Sequence, residues 1–292
     1  MKIATLLICF VNVTFCFQLK TAGPRKCKSE VFATKERRRE FIDLKGSKAP
    51  LLSRTVEVTS DLALTVWEWE EPAEVVESYW EAEQNQLGAV RGTSKILDPF
   101  GIVSWPGSLV AARELSFSKD TAVKDRNVLI LGAGVGLEAQ AAALSGARHV
   151  LATDIHPTTL RQLQLGVEQE DAIDDKSIVE TRILDLFAHE DQPLPDCDLL
   201  VVADVLYNEN LASQVVRRIV EAYKRNPKIL VLVTDSQRFV LTFDTQLNEL
   251  MEDIRGPLCS WTEEQMTFTG SGVIMNEDQT YDVTVRKMWI GA

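Results

Sequence analysis

Residues 127–157 read NVLILGAGVGLEAQAAALSGARHVLATDIHP, and this stretch constrains the fold more than any other. A short apolar run stops at a glycine. Glycines then alternate at 132, 134 and 136, an alanine-rich segment of helical length follows, and a second apolar run closes on Asp154. Two short apolar runs joined through a helix make a parallel strand pair, and all-apolar strands imply a sheet covered on both faces. Glycine at the strand end lets the backbone turn tightly and approach a ligand closely. The helix that starts near Gly136 aims its N–H groups and positive dipole end at that spot. Asp154 can accept hydrogen bonds from both hydroxyls of a ribose.

The same alternation continues. Pro157 opens a helix over TTLRQLQLGVEQE. SIVETRILD and CDLLVVADV read as strands, NENLASQVVRRIVEAYKRNP as an amphipathic helix stopped by Asn226-Pro227, and KILVLVTDS as a further strand. TQLNELMED is helical in spacing. The chain closes on two strands, near LCSWTEEQMTF and YDVTVRKMW, that fit an antiparallel hairpin. The expected class is α/β: a seven-stranded, Rossmann-like, mostly parallel sheet with a C-terminal antiparallel hairpin.

The hairpin and the glycines bear on the cofactor. A dinucleotide site needs GxGxxG, its third glycine where helix and strand pack. Gly132 and Gly134 fit, but that third position is Leu137, and Gly136 makes the run GxGxG instead. A sheet that ends in a hairpin is typical of methyltransferases. Together these favour S-adenosylmethionine over NAD; the aspartate alone does not choose, because both cofactors carry a ribose.

Charge is uneven along the 292 residues. The net charge is −12, while residues 1–45 are basic. The acidic body repels phosphate backbones, so a nucleic-acid partner is not expected, whereas a basic one would be attracted. The five cysteines are scattered and odd in number, and the three histidines lack ligand spacing, so neither a disulfide framework nor a metal site is expected. Residues 3–17 are apolar but too short to span a bilayer, and a basic, hydroxyl-containing segment follows with Phe17 at the junction. This reads as a two-part leader over residues 1–45, a signal peptide of about 16 residues and then a transit-like segment. A plastid address is expected. The alternatives are the secretory pathway, or the cytoplasm or mitochondrion if the leader is misread. Residues 46–105 read as an extension of a hairpin and a helix, and 106–292 as the catalytic domain.

WPGS at 105–108, LGAGVGL at 131–137, TDIHP at 153–157, ILDLF at 183–187 and ADVLY at 203–207 resemble methyltransferase family 16, a seven-β-strand group dominated by protein-lysine methyltransferases. The resemblance covers roughly residues 100–240. It implies that Trp105 lies beside the cofactor and that Gly132, Ala133 and Gly134 follow its methionine and ribose, with Gly136 in the same loop. Asp154 would bind the ribose and Leu186 flank the adenine. Ala203 would sit under the cofactor, with Asp204 and Tyr207 facing the transfer site. Asp185 would be close to the cofactor or a simple turn residue. Two positions depart from the pattern: Ile130 where an acid is usual, and Leu186 where tryptophan is frequent.

The resemblance implies methyl transfer to a lysine of a protein; from the acidic body that protein is expected to be basic, and the enzyme is expected to be a monomer. Asp204 would orient the amine and the Tyr207 ring hold it, unless Asp204 merely caps a helix, for which Asn208 and Asn210 are nearer, or Tyr207 only packs. The chain has no [ND]PPY element of the kind used for planar amides. A small-molecule N- or O-methyltransferase and a binding module without catalysis stay open.

Overall fold

The computed structural model describes residues 37–44, 47–88, 97–236, 239–251, 260–271 and 275–291. The leader up to residue 36 lies outside them. Three antiparallel strands come first: β1 (Arg39–Leu44), β2 (Ser47–Thr59) and β3 (Leu62–Trp69), in the order β1-β2-β3. Helix α1 (Pro72–Gly88) follows. Two expectations change here. β1 lies inside the segment read as leader, because its one described buried side chain, Ile42, sits beside a basic run that hides the strand pattern. The extension is therefore a three-stranded sheet and a helix rather than a hairpin and a helix.

The remaining elements are α2 (Pro106–Phe117), β4 (Asn127–Leu131), α3 (Leu137–Leu144), β5 (His149–Asp154), α4 (Pro157–Gln169), β6 (Val179–Ile183), β7 (Leu199–Ala203), α5 (Glu209–Arg225), β8 (Leu230–Asp235), α6 (Val240–Met251), β9 (Thr262–Ser271) and β10 (Asp278–Ile290). The large sheet has the order β6-β5-β4-β7-β8-β10-β9. Strands β4 to β8 are parallel, and β10 runs antiparallel to both β8 and β9. The α/β class, the seven strands and the closing hairpin are as the sequence indicates.

Successive residues of each strand point to opposite faces. Leu129, Leu131, Leu200 and Val202 pack on α5 and α6. Val128, Ile130, Leu199 and Val201 pack with residues of α2, α3 and α4. The small sheet adds a further layer: Val56, Val58, Leu64 and Val66 cluster with Leu109, Leu137 and Ala141. Gln162 ties it down, donating to the carbonyls of Trp67 (3.0 Å) and Ile102 (3.1 Å).

A connection that reverses direction creates the site. From β4 the chain builds outward through β5 to β6, then returns to β7 on the other side of β4. Crossovers diverge there, and a crevice opens beyond the carboxyl ends of the strands.

Candidate active site

The loops after these strands line one cavity. Gly132 and Gly134 follow β4, Asp154 ends β5, Asp185 and Leu186 follow β6, and Ala203, Asp204 and Tyr207 lie at and after the end of β7. Trp105, just ahead of α2, lines it too. Ala133 and Gly136 are not brought to the cavity wall. Ala133 is buried and its N–H donates to Thr153 O at 2.8 Å. A Cβ at Gly136 would sit 2.3 Å from Leu163 Cγ, so this glycine lets α3 pack on α4.

Gly132 is needed for two reasons. Its φ is +69°, and a Cβ there would meet Val205 at 2.6 Å. Asp154 sits opposite, accepting N–H groups of Gly134 (3.1 Å) and His156 (2.9 Å). Burial pushes its carboxyl up to about 6 against these two hydrogen bonds, with the Asp98 charge adding to the rise. The preceding stretch closes over it: Gly101 faces both Gly134 and Asp154.

Asp204 is buried, with a left-handed φ of 54°. Its Oδ2 accepts the Gly107 N–H at 2.5 Å, and its Oδ1 accepts the Ser236 N–H at 2.7 Å and hydroxyl at 2.8 Å. The carboxylate therefore joins the ends of β7 and β8 to the first turn of α2. It is not the cap of α5, because Asn208 accepts the Leu211 N–H there. His156 caps α4 in the same way, accepting from Thr158.

Tyr207 donates its hydroxyl to Asp98, and its ring meets Phe100 edge-on at 5.5 Å. Burial holds the phenol well above its ordinary range, and the Asp98 charge adds to this. Phe100 in turn packs on Tyr79 and Trp80 of α1. Sequence reasoning missed Asp98, Phe100 and Gly101, although Asp-Pro-Phe-Gly is a turn signature. Phe187 was missed too. It is exposed and lines the cavity beside Leu186, so an aromatic surface stands one residue beyond the expected place.

Arg218 of α5 is fully buried and donates to the carbonyls of Asp185 (2.9 Å), Leu186 (3.1 Å) and Gln192 (2.9 Å). It fixes the loop after β6 without touching the cavity. Glu68 does the same for the opposite wall, accepting from Arg54 Nε (2.6 Å) and from the N–H (2.8 Å) and hydroxyl (2.5 Å) of Ser104. No local pattern marks either residue.

The model of lysine methyltransferases matches residues 52–254 of this chain, which takes in most of β2, all of β3 and every residue of the cavity lining. The chain belongs to the lysine methyltransferase family. Lysine methyltransferases of this family use S-adenosylmethionine, and the cavity fits it. A space closed to any side chain at Gly132 faces an acidic acceptor for a ribose at Asp154, and among the described residues the lining contains no lysine or arginine to repel a sulfonium. Among curated lysine methyltransferases, the electron transfer flavoprotein beta subunit lysine methyltransferase of Homo sapiens is 35% identical over 116 residues, 40% of this chain and 41% of its own. The protein-lysine methyltransferase METTL21E of Bos taurus is 32% identical over 145 residues, 47% of this chain and 48% of its own. The matched stretch thus spans less than half the length of these relatives. A solved precorrin-6y C5,15-methyltransferase from Geobacter metallireducens is 17% identical, with a TM-score of 0.40 over 68% of this chain and 93% of its own. Among the described residues, no helix is long and apolar enough to cross a membrane.

Proposed function

We propose that this protein transfers the methyl group of S-adenosylmethionine to a lysine side chain of a protein. The supporting observation is the charge of the cavity: Asp98, Asp154, Asp185 and Asp204 line it, and among the described residues no lysine or arginine does. Such a cavity favours cations, and a lysine ammonium is one. The relatives named for lysine methylation point the same way.

When bound, the cofactor supplies a methyl carbon made electrophilic by its sulfonium. The chain's own residues must hold the amine in line and let it shed a proton, because only the neutral nitrogen has a lone pair to form the N–C bond while the C–S pair stays on sulfur. Asp204 is taken up by three hydrogen bonds, so its part is to position the strand ends. Asp98, in contact with the Tyr207 hydroxyl and beside the Tyr79, Phe100 and Tyr207 rings, is the carboxylate placed to receive a hydrogen of the amine. The rings suit the stem of a lysine and its charge. The acidic body suits a protein substrate with basic residues around the lysine.

Tritium-labelled cofactor incubated with the purified protein and a cell lysate tests this. Label in a protein band, recovered as methyllysine, is the expected result. Label confined to small molecules, or nowhere, overturns it. The leader is proposed to direct the protein to a plastid, on the apolar run 3–17 and the basic segment after it. A fluorescent protein fused behind residue 45 that stays diffuse in the cytosol of an alga with secondary plastids would remove that address.

A further inference from the structure

Glu138 is the second residue of α3 and is fully buried. Neither of its carboxyl oxygens completes a well-directed hydrogen bond, although its own backbone N–H and then the Ser108 hydroxyl of α2 stand close enough to favour the charged form. The other charges that reach it are negative, from Asp204 after β7 and Asp154 at the end of β5. Burial pushes its carboxyl up to about 7. A carboxylate buried without a countercharge costs several kcal/mol, and native structures seldom keep one that nothing uses.

Its place indicates the use. Ser108 lines the cavity, so Glu138 stands directly behind that wall. The cavity runs across the sheet from Leu186 and Phe187 after β6, past Asp154, to Gly132, Ala203 and Ser108. A nucleoside whose ribose lies on Asp154 and whose base lies toward β6 leaves its 5′ substituent at the Ser108 end. In S-adenosylmethionine that substituent ends in an amino acid, whose ammonium is the cation a lone carboxylate lacks. Strand β4 supplies no acid there, because Ile130 is buried in an apolar cluster that includes Ala139 of α3.

We propose that Glu138, with the Ser108 hydroxyl between, is the countercharge for the ammonium group at the methionine end of the cofactor. This rests on the cofactor assignment above and adds the residue that distinguishes the whole cofactor from its nucleoside part. It is a binding residue whose effect reaches the reaction only through the seating of the cofactor.

Calorimetry with three ligands tests it: S-adenosylmethionine, S-adenosylhomocysteine and 5′-methylthioadenosine, which has the nucleoside and sulfur but no amino acid. Glu138→Gln is expected to weaken the first two by roughly tenfold or more, the scale of a charged hydrogen bond, and leave the third within about twofold. Ser108→Ala should do the same to a smaller degree. The unliganded melting temperature of Glu138→Gln should be unchanged or higher, because an unpaired buried charge has been removed. Unchanged binding of all three ligands, equal weakening of all three, or a lower melting temperature overturns the proposal. Wild-type protein that binds none of the three overturns the cofactor assignment instead.

Discussion

Gly107 and Asp204, 97 positions apart, meet where the N–H of one donates to the carboxylate of the other at 2.5 Å. The contact requires glycine for want of space: a Cβ at position 107 would lie 2.6 Å from Asp204 Cγ. The small residue in WPGS and the acid in ADVLY are thus two halves of one joint. Gly107→Ala should open it, and Asp204→Asn should place an amide where N–H donors converge. Each is expected to lower stability by about 2–3 kcal/mol, the cost of losing hydrogen bonds to a charged group. Urea denaturation reads this out, and a variant of Asp204 with unchanged midpoint would show that the joint contributes nothing.

Asp98→Asn keeps the shape beside Tyr207 and removes the charge. Methyl incorporation into a lysine-bearing protein should fall by roughly 10²-fold, within the range for a positioned acid–base group. Tyr207→Phe should cost less than Tyr207→Ala, since the first keeps the ring against Phe100. Cofactor affinity, measured in parallel, should change little in all three variants. A loss confined to cofactor binding would move Asp98 out of the transfer site.

Asp154→Ala should weaken cofactor binding by about 2–3 kcal/mol through the lost ribose contact. Calorimetry that finds the same affinity in this variant and in the wild type would end the assignment of Asp154 to the ribose.

The raised carboxyls of Asp154 and Glu138 set a pH dependence. Each binds its proton more tightly in the folded chain than in the unfolded one. Their contribution to stability is therefore present below about pH 4 and is lost as pH rises through 6 and 7. Relative to wild type, Glu138→Gln should become progressively more stable from pH 5 to pH 8. The ligand binds the ionised forms, so affinity for S-adenosylmethionine should rise between pH 6 and pH 8 by roughly tenfold through Glu138 and only about twofold through Asp154. Melting curves across this range, with and without the cofactor, check both signs. A wild type and a Glu138→Gln variant that track each other at every pH would contradict the buried, uncompensated state of Glu138.

Glu68→Gln should destabilise the protein by about 3 kcal/mol or more, because Arg54 would keep a buried charge with its main partner gone. Arg54 also bonds Ser271 and pairs with Asp278, so the closing hairpin should loosen with it. Hydrogen exchange at Ser104 and in β9 should quicken first, and uniform protection there would argue against the linkage.

What could be read from the sequence was local. Apolar runs of strand length, the glycine turn before α3, proline at the start of α4 and asparagine at both ends of α5 act over a few residues, and their physics is the same wherever the chain goes. The order of elements then implied a mostly parallel sheet closed by an antiparallel hairpin. The tertiary structure decided the rest. Asp204 reads in sequence as an acid beside a transfer site, and only the arrival of Gly107 and Ser236 makes it a joint. Asp98 and Tyr207 are 109 positions apart, and nothing local couples them. Glu138 looks like an ordinary acid in the first turn of a helix, where the dipole welcomes it. Whether such a group faces water or is sealed behind Ser108 depends on how α2 closes over α3, and burial, unlike propensity, is a property of the packed chain alone.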